Sequence, residues 1–225
     1  MWKAKIQAYK HASDRTSKIT EQLLIEKPIR CMFNGDVVLN GHSTPELRDH
    51  LFHGYLIAQH GPQHNLKDPE KTNYDLSITQ DIKPKIRDGQ ELTLKTSQVK
   101  QIMANFQDNV RLYKDTGIAE SAAISTSKEI IHFADDIDRL NAVYKTLSLA
   151  NESDNWGDNC MILSGKICQQ LIEAANRCGI STIISRTGIT HSAYQLAITH
   201  HITTIGFCRG KHFTIYTGKD LISDG

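Results

Sequence analysis

The sequence predicts an α/β protein with a parallel sheet, chiefly from the pattern of its second half. Three short apolar segments there, residues 160–163, 180–184 and 202–207, have the length and composition of buried strands. Segments with apolar residues at helical spacing lie between them, the first ending at Gly179 and the second beginning at Thr190. Strands that alternate with helices in this way pair in parallel, and ligands bind at the edge where their carboxyl ends meet.

Polar and basic side chains follow these strands directly. Ser164 and Lys166 come after the first strand, Thr190 begins the helix after the second, and Arg209 follows the third. Helix N-termini and basic side chains both favour bound phosphate. The sequence therefore predicts a site for a phosphate-bearing ligand at this edge of the sheet.

The N-terminal part predicts a β-hairpin and a helix. Residues 1–20 are polar and rich in lysine, whereas Asn34-Gly35 separates two apolar segments and is typical of a hairpin turn. Thr44-Pro45-Glu46 supplies a capping hydroxyl, a first-turn proline and a first-turn acid for the helix that follows. We expect this hairpin and helix to form a subdomain.

A polar stretch, residues 61–91, predicts a loop or a connection between domains, with one strand near residues 74–78. Apolar residues at helical spacing from Val99 to Val110 predict a helix, and two short strands follow at residues 122–125 and 129–133. We therefore divide the chain into an N-terminal part, residues 1–95, and an α/β domain, residues 96–225.

The next helix begins in a segment that concentrates polar side chains. They are Asp135, Asp136, Asp138, Arg139, Asn141 and Lys145. Acids at a helix start often only cap free N–H groups, which requires no function. The two basic residues are either solvated or extend the cationic rim that we expect from Lys166 and Arg209. Both interpretations stay open.

Composition indicates an ordinary soluble protein. The formal net charge of +1 disfavours a nucleic-acid partner. The first residues lack the apolar run of a signal peptide, and no apolar stretch is long enough to span a bilayer, so we expect a cytoplasmic protein without membrane attachment.

The five cysteines are odd in number and include no C-x-x-C, so we expect reduced thiols and no structural zinc. Cys160, Cys178 and Cys208 lie in apolar surroundings and suit a core. Cys168 follows Ser164-Gly165-Lys166 at a helix start, where N–H groups and a lysine favour thiolate. It is the candidate catalytic residue, and the alternative is that it too is only packed.

The sequence gives weaker support to two other kinds of site, a metal site and the active site of a hydrolase. His50, His53 and nearby histidines lack an acid or cysteine at a strong ligand spacing, so no metal site is predicted. A hydrolase with Ser164 or Cys168 as nucleophile and His191 as base lacks the G-x-S-x-G turn.

Several segments resemble the formate dehydrogenase accessory protein family, the FdhD sulfurtransferases. Residues 44–56 are similar to its Thr-Pro and apolar-Gly-apolar segment, residues 116–123 to T-G-x-x-H-A-A-A, and residues 135–145 to E-D-V-G-R-H-N-A-V-D-K. Residues 164–170 loosely match S-G-R-x-S-x-E. Residues 206–217 closely follow G-F-x-R-x-x-x-F-x-I-Y-T, which is the most specific match.

The resemblance implies a three-layer α/β/α fold like that of cytidine deaminases, commonly dimeric. It also implies binding of molybdopterin guanine dinucleotide or a guanine nucleotide, and transfer of sulfur to that cofactor for a formate dehydrogenase or similar molybdenum or tungsten oxidoreductase. A cysteine desulfurase would supply the sulfur. The expected cofactor-binding residues are Asp136, Arg139, Asn141, Lys145, Ser164, Lys166, Thr190 and Arg209. The zinc motifs of deaminase chemistry are absent, so such a fold would not mean deamination.

The chain departs from the family at positions that bear on chemistry. The family carries persulfide on a C-x-x-C before the helix that here begins near Thr96, but residues 82–96 contain no cysteine. Glu120 and Leu140 replace histidines, and Tyr144 replaces an aspartate. Two functions therefore stay open: a sulfurtransferase for cofactor maturation, or a degenerate protein that binds cofactor or nucleotide without moving sulfur.

Overall fold

The computed structural model describes residues 2–224 and confirms a mixed α/β architecture. The strands are β1 Lys3–Ala12, β2 Arg15–Leu24, β3 Lys27–Phe33, β4 Asp36–Ser43, β5 Glu70–Thr72, β6 Asp75–Ile78, β7 Leu94–Lys95, β8 Glu120–Ser125, β9 Ile130–Asp136, β10 Cys160–Leu163, β11 Thr182–Ser185, β12 Thr203–Arg209, β13 His212–Thr217 and β14 Ile222–Ser223. The helices are α1 Arg48–His60, α2 Thr96–Asn109, α3 Arg111–Thr116, α4 Arg139–Glu152, α5 Gln169–Arg177 and α6 His191–Thr199.

The central sheet has the strand order β13-β12-β11-β10-β8-β9. Its strands β10, β11 and β12 pair in parallel, as the alternation of strands and helices predicts, with Met161 opposite Ile183. The remaining neighbours in this sheet are antiparallel. The carboxyl ends of β10, β11 and β12 therefore lie at the same edge as the start of β8 and the end of β9.

Apolar side chains alternate between the two faces of this sheet, as pleated strands require. Met161 packs in a cluster with residues of α1, α4, α5 and α6. Its neighbour Ile162 packs in a second cluster with Val99 and Phe106 of α2. Helices consequently cover both faces, and the loops at the strand ends are left to form a site.

The N-terminal part contains a four-stranded sheet of order β4-β3-β6-β5, with α1 packed between it and α4. The predicted hairpin is confirmed, because Asn34 and Gly35 have φ of 52° and 91° at the turn between β3 and β4. The predicted strand near residues 74–78 is confirmed as β6. The division of the chain after residue 95 stays a prediction.

A second hairpin, β1 and β2, occupies the lysine-rich start of the chain, where the sequence pattern indicated no element. Its two-residue turn has Ser13 and Asp14 at φ of 47° and 63°. Most residues of both strands are exposed. Without a buried face, β2 shows no sustained alternation of apolar and polar residues, which is the signal that sequence prediction uses.

The predicted cap of α1 is wrong. The helix begins at Arg48, after Leu47 in the left-handed region at φ 55°, and no side chain caps it. Thr44 is fully buried, and its N–H and hydroxyl both donate to Asp136, each over 3.2 Å. Its hydroxyl thus serves a tertiary contact between the N-terminal part and β9. Across residues 2–224, no helix is both long and apolar enough to cross a membrane.

Candidate functional site

A cleft of about 400 Å³ opens at the predicted edge of the central sheet. It lies between α3, the start of β8 and the loops after β10, β11 and β12. Its lining residues are Val110, Tyr113, Gly117, Ile118, Ala119, Glu120, Ser164, Arg186, Thr187 and Arg209. Of the predicted site residues, the cleft brings together Ser164 and Arg209.

Ser164 and Glu120 form the acidic side of the cleft. The Ser164 hydroxyl donates to Oε2 of Glu120 and accepts a hydrogen bond from the N–H of Ser121 over 2.9 Å. This contact occupies Ser164 with a carboxylate, while His191 is exposed at the first turn of α6. Among residues 2–224, no hydrogen bond joins Ser164 and His191, so the histidine base of the hydrolase alternative is not positioned at this nucleophile.

Arg186 and Arg209 form the basic side. The Arg209 Nε donates to the backbone oxygen of Arg186 over 2.9 Å, which joins the loops after β11 and β12. Within residues 2–224, neither arginine has an acidic partner within ion-pair distance. Arg186 is not among the site residues predicted from the sequence, although it follows β11 just as Arg209 ends β12. The rule that ligands bind at the carboxyl ends of parallel strands predicts both arginines.

Arg139 and Cys168 lie on the other side of the Gly165 loop. A guanidinium nitrogen of Arg139, Nη2, is 3.7 Å from the Cys168 sulfur, and Arg139 Nε is buried with no hydrogen-bond partner in the described chain. A methyl group on Gly165 would stand 2.8 Å from Arg139 Cδ, so a larger residue at this position would displace the Arg139 side chain. Cys168 is 8% exposed and directly precedes α5.

Lys145, Asp136 and Asn141 do not belong to an exposed rim. The Lys145 Nζ is 2.5 Å from Asp136 Oδ2 and donates to Thr44 Oγ1 over 2.7 Å, and Lys145 is 1% exposed. Asn141 donates to Asp136 and to the backbone oxygen of His42. Burial lowers the pKa of Lys145, and the Asp136 charge opposes that shift. These three residues tie α4 to β9 and to the N-terminal part.

Lys166 and Thr190 are placed beside the cleft without lining it. Lys166 is exposed in the loop after β10. The Thr190 hydroxyl caps α6 by accepting from Ala193 N–H, and the Thr190 N–H donates to the oxygen of Ile167. The capping interpretation of the acidic segment is confirmed for Asp138, whose side chain accepts from the N–H groups of Leu140 and Asn141.

The other four cysteines are packed in the core. Burial raises the pKa of the Cys31, Cys160 and Cys178 thiols to about 12 and that of Cys208 to about 11. Thiols in this state are poor nucleophiles at neutral pH. In the part of the chain that the structure describes, no group of three or more histidine, cysteine and acidic side chains is arranged to hold a metal ion.

The connection before α2, residues 82–95, is held at the end of the central sheet that lies opposite the cleft. Arg87 lies over the Trp156 ring at 5.3 Å, and its Nη1 donates to Asn159 Oδ1 over 2.7 Å. Gly89 packs so closely on Gly179 that a methyl group would stand 1.9 Å from the Gly179 oxygen. Asn159 and Gly179 precede β10 and β11, so this connection lies at the amino ends of the strands that carry the cleft at their carboxyl ends.

Comparisons with known proteins point to one family. A sequence profile described as the FdhD/NarQ family matches residues 68–223. The protein named Sulfur carrier protein FdhD of Listeria monocytogenes serotype 4b is 32% identical over 139 residues, which cover 61% of this chain and 53% of that protein. The Bacillus subtilis protein of the same name is 25% identical over an alignment that covers 96% of each chain.

The fold agrees with these matches. The crystal structure described as that of a formate dehydrogenase accessory protein from Desulfotalea psychrophila superposes with a TM-score of 0.84 and 17% identity, covering 99% of this chain and all of that one. In the alignments to the Listeria relatives, the chain spans about half of their length. The matched profile covers well over half of this chain. The chain therefore belongs to the FdhD/NarQ family.

Proposed function

We propose that this protein is an accessory protein for a formate dehydrogenase or a similar molybdenum or tungsten oxidoreductase, and that it binds molybdopterin guanine dinucleotide or a guanine nucleotide in the cleft. Family membership and the cleft support this proposal. The relatives carry the name sulfur carrier. We further infer the cytidine-deaminase-like fold, the homodimer, the cytoplasmic location and the cysteine desulfurase partner that the resemblance implies, and light scattering on the purified protein tests the dimer.

The charge distribution of the cleft suits a guanine nucleotide. Arg186 and Arg209 line the cleft, and no acidic side chain of residues 2–224 pairs with either of them. Paired guanidinium groups favour phosphate oxygens. Glu120 lies on the opposite side, where a carboxylate accepts the N–H groups of a guanine base. A volume of about 400 Å³ is in the range of small-ligand sites. A bound cofactor would supply the dithiolene that holds the metal, while these residues position its phosphates.

One observation favours cofactor binding without the sulfur relay of the family. The connection that would carry the C-x-x-C has no cysteine, and Arg87 and Gly89 fix it at the opposite end of the sheet. A sulfur carrier needs a cysteine whose thiolate takes the outer sulfur from a donor persulfide and then carries it as a persulfide to the acceptor. Nothing in this connection meets that need.

Cys168 supports the second candidate function, sulfur transfer through a single thiol. It lies next to the Gly165 loop, with the Arg139 guanidinium 3.7 Å from its sulfur. A thiolate there would attack the outer sulfur of a desulfurase persulfide, form the Cys168 persulfide and release the desulfurase thiolate. The side chain is 8% exposed, so this reaction requires the loop to open.

Calorimetry with GDP tests cofactor binding in the cleft. We expect Arg209→Ala and Arg186→Ala each to weaken GDP binding about tenfold or more, since a charge-assisted phosphate contact contributes about 1.5–3 kcal/mol. Lys166→Ala is the matched control, because this exposed lysine does not line the cleft. Equal GDP affinity in all three variants and the parent, or no binding by the parent at millimolar GDP, would contradict the proposal.

Persulfide mapping separates the two functions. The protein is incubated with a cysteine desulfurase and cysteine, and modified thiols are located by mass spectrometry. Binding without transfer predicts no stable persulfide, whereas the second candidate predicts one that Cys168→Ser abolishes. Labelling that survives Cys168→Ser would refute the assignment to Cys168.

A further inference from the structure

The first hairpin, β1 and β2, forms an arm that meets the rest of the protein at its base. The Lys3 Nζ lies 2.5 Å from Asp115 of α3, and Lys5 and Gln22 line the space between the arm and this helix. Within the described chain, no apolar side chain of the arm joins the three apolar clusters or packs against them. The arm precedes residues 68–223, so the family profile does not account for it.

Strand pairing gives the arm one polar and one apolar face, because cross-strand neighbours point to the same side. The polar face carries the residues that meet α3, and it also carries two hydrogen-bonded pairs, Gln7 with Thr20 and His11 with Thr16. The apolar face carries, from the base towards the tip, Ala4 opposite Leu23, Ile6 opposite Glu21, Ala8 opposite Ile19, and Lys10 opposite Ser17.

This apolar face lies on the side of the arm away from α3. Ile6 and Leu23 are 40% and 45% exposed on it. A two-stranded hairpin is at best marginally stable in water, and packing of an apolar face is what normally stabilises it. The arm therefore presents a surface that a partner would cover.

The charges on this face make it complementary to itself. Ala8 and Ile19 lie at its middle, with Glu21 two residues towards the base and Lys10 two residues towards the tip. Neither Glu21 nor Lys10 has an ion-pair partner among residues 2–224. If two such faces pack with their arms antiparallel, a twofold axis at Ile19 brings each Glu21 to the level of Lys10 in the other copy. Parallel arms would instead bring each charge to the level of its own counterpart.

We propose that the apolar face of the arm binds the same face of a second copy of this chain, with the two arms antiparallel. A twofold interface uses one patch on both subunits, and this face meets that requirement. The inference rests on the homodimer of the proposed function and names its contact surface. Two faces of about 34 by 10 Å are smaller than a standard interface, so we expect a dissociation constant of about 1 μM or weaker.

Analytical ultracentrifugation at micromolar protein concentrations measures this dimer. Ile6→Ser should raise the dissociation constant about tenfold or more, because both copies lose apolar burial. Gln7→Ser is the matched control on the polar face and should leave the dimer unchanged.

Charge reversal tests the antiparallel arrangement. Glu21→Lys and Lys10→Glu should each weaken the dimer about tenfold, because each change places like charges together at two positions of the interface. The double variant should restore the affinity of the parent. These two residues lie about 14 Å apart within one arm, so restoration requires contact between copies.

Cross-linking locates the contact at single residues. The five native cysteines are buried, so a bismaleimide reacts first with an introduced thiol. Ile19→Cys should give a covalent dimer, because packed sheets lie about 10 Å apart and a short bismaleimide spans that distance. Thr20→Cys, on the polar face, should not.

Two results would overturn the inference. One is a parent protein that stays monomeric, and the other is a dimer that neither Ile6→Ser nor the charge reversals weaken. Calorimetry with GDP separates these failures from that of the proposed function, because no residue of the arm lines the cleft. A monomer that binds GDP would leave cofactor binding standing, and an unaffected dimer would leave the homodimer standing without this surface.

Discussion

Lys145 and Asp136 form an ion pair in the interior, with 2.5 Å between Nζ and Oδ2 and exposures of 1% and 0%. Both charged groups also have neighbouring hydrogen-bond partners: Thr44 accepts from Lys145 and donates to Asp136, and Asn141 of α4 donates to Asp136. Such a pair is costly to break, because the partner left behind is a buried and unpaired charge.

We therefore predict that Lys145→Met lowers the free energy of unfolding by about 3–5 kcal/mol. Lys71→Met is the control, since the Lys71 and Asp49 side chains are 60% and 36% exposed and surface pairs contribute about 0–1 kcal/mol. Urea denaturation followed by circular dichroism measures both. Similar losses in the two variants would contradict a special role for the interior pair.

Asp135 makes stability depend on pH. Burial raises the pKa of this carboxyl to about 6 from 3.8, with smaller opposing effects of the Ser121 hydrogen bond and the Lys145 charge. Because the Asp135 pKa is higher in the folded state than in the unfolded chain, protonation of this carboxyl favours folding at pH values below the unfolded pKa. This contribution to stability is lost as the pH rises through about 6.

Asp135→Asn should therefore stabilise the protein relative to the parent above pH 6, by about 1–3 kcal/mol, and have little effect near pH 4. Urea denaturation of both proteins from pH 4 to pH 7.5 provides the comparison. A stability difference that stays constant across this range would show that Asp135 does not titrate as the structure indicates.

Gly54 sets the distance between α1 and α4. A methyl group on this residue would stand 1.7 Å from the backbone oxygen of Tyr144, and neither helix backbone can yield without repacking. Gly54→Ala should destabilise the protein by about 3 kcal/mol or more. Gly41→Ala is the matched control, because a methyl group there meets no atom within 4 Å. Equal thermal unfolding temperatures for the two variants would contradict this packing.

Arg87 anchors the connection before α2 through Trp156 and Asn159. Arg87→Ala should cost about 1–3 kcal/mol and increase hydrogen exchange across residues 82–91. Affinity for GDP should stay unchanged, because this connection lies at the opposite end of the sheet from the cleft. A large loss of GDP affinity in a folded Arg87→Ala protein would show that the connection reaches the site.

Local patterns predicted most of the secondary structure. Apolar segments placed β10 at its observed bounds and β11 and β12 within two residues of theirs. Asn34-Gly35 marked its hairpin because few dipeptides adopt that turn easily. The helix starts at Asp138 and Thr190 also follow from local sequence. The Asp138 carboxylate and the Thr190 hydroxyl accept hydrogen bonds from N–H groups only two or three residues away. The parallel order of these strands followed from the alternation of strands and helices.

The sequence by itself determined the alternation of strands and helices from β10 to β12, their parallel pairing and the edge at which polar side chains collect, because these follow from local patterns along the chain. Only the tertiary structure decided which charges face solvent. Lys145 and Arg209 look alike in the sequence, yet one is enclosed with Asp136 and Thr44 and the other lines a cleft with Arg186. Their partners are distant in sequence, and burial by distant residues leaves no local pattern to read.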